Sequence, residues 1–183
     1  MTVFGDNRER PTHPDFTRLI DGILWLDGQT SEGRHGFEDV VSACGFDVDL
    51  VMRTVTQQTR TAIRGTVNDS AARGAIWIDG YLTGVRFADP TGQVPPANGN
   101  PAIVSRQRHA LKASTAWYDT MNLGAELRPA VERLPVNLEA VIYCGRQRAL
   151  RLRTGHHVPQ SDLTVLWCAG LYIGVNTASV LAR

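Results

Sequence analysis

The chain has 183 residues, 43% of them apolar and 20% charged, and a formal net charge of +1. That balance is globular and excludes a disordered or low-complexity protein. Mean hydropathy is −0.17, and the longest apolar stretches are interrupted by Asp, Gly or Asn, so no run reaching the ~20 residues of a membrane span, and no membrane partner, is expected.

Residues 1–10 are polar and lack the apolar core of a secretory signal, so they read as a loose N-terminal tail. Pro14, Ile20, Ile23, Leu24 and Leu26 predict a helix over 13–29, and Gly28 and Gly33 open the loop after it. A short helix over 36–44 is stopped by Gly45. The Asp47 carboxylate can accept from unpaired backbone N–H groups, so it caps a third helix, with apolar spacing at Val48, Val51, Met52, Val55, Ala62 and Ile63 and an end at Gly65. Asn68 or Asp69 caps a fourth helix, which runs to about Asp89 and is stopped by Pro90. Residues 11–89 form one unit. The Pro/Gly stretch 90–100 cannot continue a helix and reads as a linker. Asn100 then caps a helix with Pro101 at its first position, where the missing N–H costs nothing, running to about Asn122. A short helix over 125–133, a third over 136–153 and a last one over 162–182 capped by Ser161 complete a second unit, 101–183. Ala75–Leu82 and Thr164–Ile173 are rich in β-tolerant residues and are where strand competes most strongly.

The two units share a pattern. Trp77, Gly80, Gly84, Val85 and Ala88 recur ninety positions later as Trp167, Gly170, Gly174, Val175 and Ala178. Trp25-x-Asp27 recurs as Trp117-x-Asp119 at an offset of 92, and Val48-Asp49-Leu50 as Val136-Asn137-Leu138 at an offset of 88. The expected fold is therefore all-α: a tandem duplication of a four-helix unit, packed as one pseudo-twofold domain. A glycine inside a helix costs roughly 1 kcal/mol relative to alanine. Two of them four residues apart remove side chains from one face and let backbones approach. We expect the last helix of each unit to cross the other at Gly80, Gly84, Gly170 and Gly174, with Trp77 and Trp167 covering the crossing.

Motifs for chemistry are sparse. Glu32-x-x-His35 has di-iron spacing but lies in a glycine-rich loop and has no counterpart in the second unit. There is no Glu-x-x-Glu pair, phosphate loop, nucleophile elbow or His-Glu-x-x-His. No metal, cofactor or catalytic residue is assigned, and the reading is non-enzymatic. Cys44, Cys144 and Cys168 lack metal-ligand spacing and read as reduced, buried thiols of a cytoplasmic protein. Asp27 and Asp119 sit where a carboxylate opposes the helix dipole, so each calls for a partner.

Charge is divided unevenly. Residues 1–92 hold 9 Arg against 13 acids, and residues 93–183 hold 10 Arg and Lys against 5 acids. Any anion-binding surface therefore belongs mainly to the second half. Its candidates are Arg146, Arg148, Arg151 and Arg153, followed by His156 and His157, and a second cluster of Arg106, Arg108, His109 and Lys112. Arginine's planar fork suits phosphate. The competing reading is that these arginines form a solvated face or pair with the first half's excess acids, and a partner-protein surface is a further alternative.

The segment His13-Pro14-Asp15-Phe16-x-x-Leu19-x-x-x-Ile23-x-x-Leu26-Asp27, followed by Asp47-Val48-Asp49, Gln58-x-Arg60 and Trp77-Ile-Asp-Gly80, resembles small accessory proteins of actinobacteriophages and their prophages. The resemblance covers residues 13–88. The second unit lacks the His-Pro start and has Asn137 in place of the Asp. It implies a phage-encoded accessory protein acting in a host cytoplasm, with no established activity attached. The arginine bias, with Lys112 the only lysine, fits a GC-rich genome. The expected partner is a host protein, or alternatively nucleic acid or a nucleotide held by the second-half arginines, with the chain a monomer or homodimer.

Overall fold

The computed structural model describes residues 11–30, 36–62, 70–120, 136–152 and 160–183. They are all-α: α1 (Pro14–Thr30), α2 (Phe37–Ala43), α3 (Val48–Ala62), α4 (Ser70–Ala88), α5 (Pro101–Thr120), α6 (Leu138–Leu152) and α7 (Gln160–Leu181). The tail 1–10, the cap of the fourth helix and the short helix over 125–133 fall outside the described residues. The segments flagged as strand-tolerant are helical. Ile76, Ile78 and Ile173 there are buried by neighbouring helices, and such packing overrides propensity.

The caps explain where the elements begin. The Leu50 amide donates to Asp47 Oδ1 at 2.9 Å, and the Ala140 amide donates to Asn137 Oδ1 at 3.0 Å, so the same cap opens α3 and α6. The counterpart of Asn137 is thus Asp47, not Asp49, and the offset here is 90 rather than 88. Asn100 Oδ1 accepts from the Ala102 amide at 3.0 Å and opens α5. Ser161 does not cap α7. It lies inside the first turn of a helix that starts at Gln160.

The centre of the molecule is the crossing of α4 and α7. A Cβ built on Gly80 would overlap the Trp167 carbonyl oxygen, and one on Gly84 the Leu171 carbonyl oxygen. Reciprocally, a Cβ on Gly170 would overlap the Trp77 carbonyl oxygen, and one on Gly174 that of Tyr81. The two backbones touch, and any side chain at these four positions would force them apart. Trp77 and Trp167 are fully buried beside the crossing.

Around this pair, α1, α2 and α3 pack on α4, whereas α5 and α6 pack on α7. Helix α6 also touches α1 and α4, which ties the halves together. Buried residues recur at matched places: Leu19 and Leu111, Val51 and Val141, Ile76 and Leu166, Val85 and Val175. Two equivalent hydrogen bonds join the halves. The Asp47 amide donates to Gln107 Oε1, and the Asn137 amide donates to Asp15 Oδ2, both at 2.9 Å.

Helix α7 is long and apolar enough to cross a membrane by length and composition, which the sequence reading did not anticipate. Fourteen of its residues are buried by the other helices, as expected of a core helix that is apolar on all sides. The linker is tightly held. Asp89 accepts from the Gln93 and Val94 amides at 2.6 and 2.9 Å, the Ala97 amide donates to the Gly45 carbonyl at 2.7 Å, and Val94 and Ala97 are buried. Gly45, at φ +86°, packs directly against Pro96, so both its backbone and its lack of a side chain are required there.

Candidate functional site

One polar cluster lies inside this apolar frame. Asp79 is carried by α4 next to the crossing and is only 3% exposed. Arg148 reaches it from α6, Trp167 from α7, and Asp27 stands opposite on the last turns of α1. Arg148 Nε donates to Asp79 Oδ1 at 3.0 Å, and its Nη2 donates to the second oxygen of the same carboxylate. Nη1 and Nη2 also donate to the two oxygens of Asp27 at 3.0 and 2.9 Å. Trp167 Nε1 donates to Asp79 Oδ1 at 2.8 Å. At the rim, Arg151 Nη1 donates to Asp27 Oδ2 at 2.7 Å.

The formal charges of Asp27, Asp79, Arg148 and Arg151 sum to zero, and the three that are mostly out of water are bound to one another in bidentate geometry. Burial alone would lower the Arg148 pKa, but the charges and hydrogen bonds of Asp79 and Asp27 outweigh it and hold the pKa above its ordinary value. A guanidinium so held stays charged. The cluster is an electrostatic lock between α1, α4, α6 and α7.

This placement corrects the sequence reading of the arginine run. Arg148 is 5% exposed and is committed to two carboxylates, so it does not belong to an anion-binding surface. Arg151 is exposed but already bridges to Asp27. Arg146 is exposed on α6, while Arg153, His156 and His157 lie outside the described residues. On α5, Arg106, Arg108, His109 and Lys112 are all exposed, and helical spacing puts them on one outer face, opposite buried Gln107, Ala110, Leu111 and Ser114. The structure does not unite the two cationic clusters into one site: the first is split between core and rim. No packing between α5 and α6 comparable to that of either with α7 joins them.

Sequence reasoning missed the role of Asp79. Its signal was present: the one carboxylate of α4, set in the mostly apolar stretch 75–82, at a position where the second half has Ala169. The partner expected for Asp27 is found in Arg148 and Arg151. Of the crossing residues, Trp167 has a polar partner in Asp79, whereas Trp77 Nε1 is buried without one.

No known protein family, curated protein or solved structure matches the chain. The thiols do not suggest a nucleophile. Burial pushes Cys44 up to about 11, with Arg86 offsetting part of the effect, and pushes Cys144 and Cys168 up to about 12. At neutral pH all three stay protonated and unreactive. Among the described residues no group of three His, Cys, Asp or Glu could hold a metal ion.

Proposed function

We propose that this chain is a non-enzymatic helical interaction protein, phage-derived and acting in a host cytoplasm, which binds a host protein through an outer helical face. Its halves descend from one duplicated helical unit, whose single-copy ancestor dimerised through the glycine helix. The observation that carries the binding role is the division of labour among side chains. Asp79, Asp27 and Arg148 at the crossing are spent on one another and the buried thiols are held protonated, while α1 and α6 carry exposed apolar residues of interface type. Leu24 and Leu150 are 48% and 47% exposed. Leu24 lies one turn before Asp27, and Leu150 is next to Arg151 in the chain, so each helix carries an exposed leucine near its end of the Asp27–Arg151 bridge. Apolar groups around a constrained arginine are the usual composition of a binding centre.

The test is affinity capture from an actinobacterial lysate by the tagged protein, with and without nuclease, at low and high salt. A defined protein retained at high salt after nuclease treatment, and lost with the Leu24→Glu/Leu150→Glu variant while that variant keeps its helical spectrum, supports the reading. Retention of protein by wild type and variant alike removes this face from it.

A second reading rests on the α5 face of Arg106, Arg108, His109 and Lys112, none of which has a carboxylate partner among the described residues. Such a row can engage phosphates. Capture that is sensitive to nuclease and collapses steeply with salt favours this reading over the first.

A further inference from the structure

The polar cluster at the crossing has a counterpart place in the first half, and that place is incomplete. Ninety positions relate Asp79 to Ala169, Trp167 to Trp77 and Arg148 to Gln58. On the complete side, the Trp167 indole donates to the Asp79 carboxylate, which Arg148 neutralises. On the other side the tryptophan is kept and fully buried, but a methyl group stands where the carboxylate would be. Trp77 Nε1 accordingly has no hydrogen-bond partner.

A cation is present there as well. Arg73 lies one helical turn before Trp77, on the same face of α4, and is 8% exposed. Its Nε is buried and without a partner, and it makes no ion pair among the described residues. The residue that corresponds to Arg73 in the second half is Leu163, fully buried. The first half has thus lost its carboxylate and gained a guanidinium. Trp77 Nε1 and Arg73 Nε are two buried donors without a partner, four residues apart on one face of α4. A buried donor without an acceptor is unfavourable, and replacing a carboxylate side chain by a methyl group removes the acceptor that the other half retains.

We propose that this place binds a small free carboxylate, of formate or acetate size, which accepts from Trp77 Nε1 beside Ala169 and neutralises Arg73. The bound anion does what the Asp79 side chain does in the other half. It differs from the Asp79–Arg148 pair in being exchangeable, so the stability of the crossing responds to the concentration of such anions.

The experiment follows the four indole N–H resonances of the ¹⁵N-labelled protein by NMR during titration with sodium formate and, separately, sodium acetate. Sodium fluoride holds the ionic strength constant. The Trp77 resonance is assigned by its loss in Trp77→Phe. The expected result is a saturable downfield shift of that resonance alone. The shift should be abolished in Ala169→Asp, which carries the carboxylate covalently, and weakened by about tenfold or more in affinity in Arg73→Met. If Ala169→Asp does not fold, Arg73→Met carries the test. A Trp77 resonance that stays still up to roughly a hundred millimolar formate and acetate, or a shift of equal affinity in wild type and Arg73→Met, overturns the proposal.

Discussion

Arg148 shows how much of this structure depends on single polar side chains. Taking a guanidinium out of water costs several kcal/mol, and Asp79 and Asp27 return that cost only while both are in place. Arg148→Met leaves Asp79 buried with a single indole donor, and we expect it to destabilise the protein by about 3–5 kcal/mol in urea unfolding. Asp79→Ala should cost a similar amount. The double variant Asp79→Ala/Arg148→Gln copies the pair that the first half already tolerates, Ala169 and Gln58. It should be less destabilised than the sum of the singles by at least about 1 kcal/mol; simple additivity would show that the two residues do not act as a unit. The buried thiols give a second expectation at this scale. Their pKa values are raised in the folded state to about 11 for Cys44 and about 12 for Cys144 and Cys168, against ~8.5 in an unfolded chain. The folded state therefore holds protons that the unfolded state releases. The stabilisation is complete below about pH 8.5 and is lost as pH climbs towards 11–12. The urea midpoint should fall between pH 8 and about 9.5, and Cys144→Ala/Cys168→Ala should reduce that fall. The cationic run was legible in the sequence, and so was pairing with the first half's acids as one of its uses; which arginine meets which acid was not. Arg148 and Asp79 are 69 positions apart and only the packing of α6 on α4 and α7 brings them together.

At the scale of the element, most of the helices were legible because caps and stops are local chemistry. Asp47, Asn100 and Pro101 open helices, Gly45 and Pro90 close them, and each acts within a few residues of its place in the chain. Ser161 was misread because a serine within the first turn looks the same in sequence as one just before it. The glycine pairs were readable from a cost argument: four helical glycines persist only where a neighbour needs the space. Gly170→Ala puts a methyl group into the Trp77 carbonyl, which belongs to backbone and cannot rotate away. We expect a loss of about 3 kcal/mol or more by denaturant unfolding, and Gly84→Leu should be worse. Gly28→Ala, exposed on α1 with nothing within 4 Å of the added methyl, should instead raise stability by about 0.5–1 kcal/mol. Equal effects at Gly170 and Gly28 would remove the close crossing as the reason for the glycines.

At the scale of the whole molecule, the halves are interlocked. Each third helix is seated by an acceptor from the opposite half, Gln107 for Asp47 and Asp15 for Asn137. The spaced Trp and Gly residues made the shared pattern visible, but they could not show which differences between the halves matter. Asp79 against Ala169 looks like an ordinary difference until the structure places Asp79 in a bonded cluster with Arg148 and Trp167. Interlocking also bears on how the protein is made. Helix α7 leaves a ribosome ninety residues after α4, a delay of roughly 5–20 s at ordinary elongation rates. During that interval the bare Gly80–Gly84 face of α4 lacks the backbone of α7 that covers it in the finished protein. The nascent first half must wait unfinished, and it is then that a chaperone or a stray apolar surface could capture it.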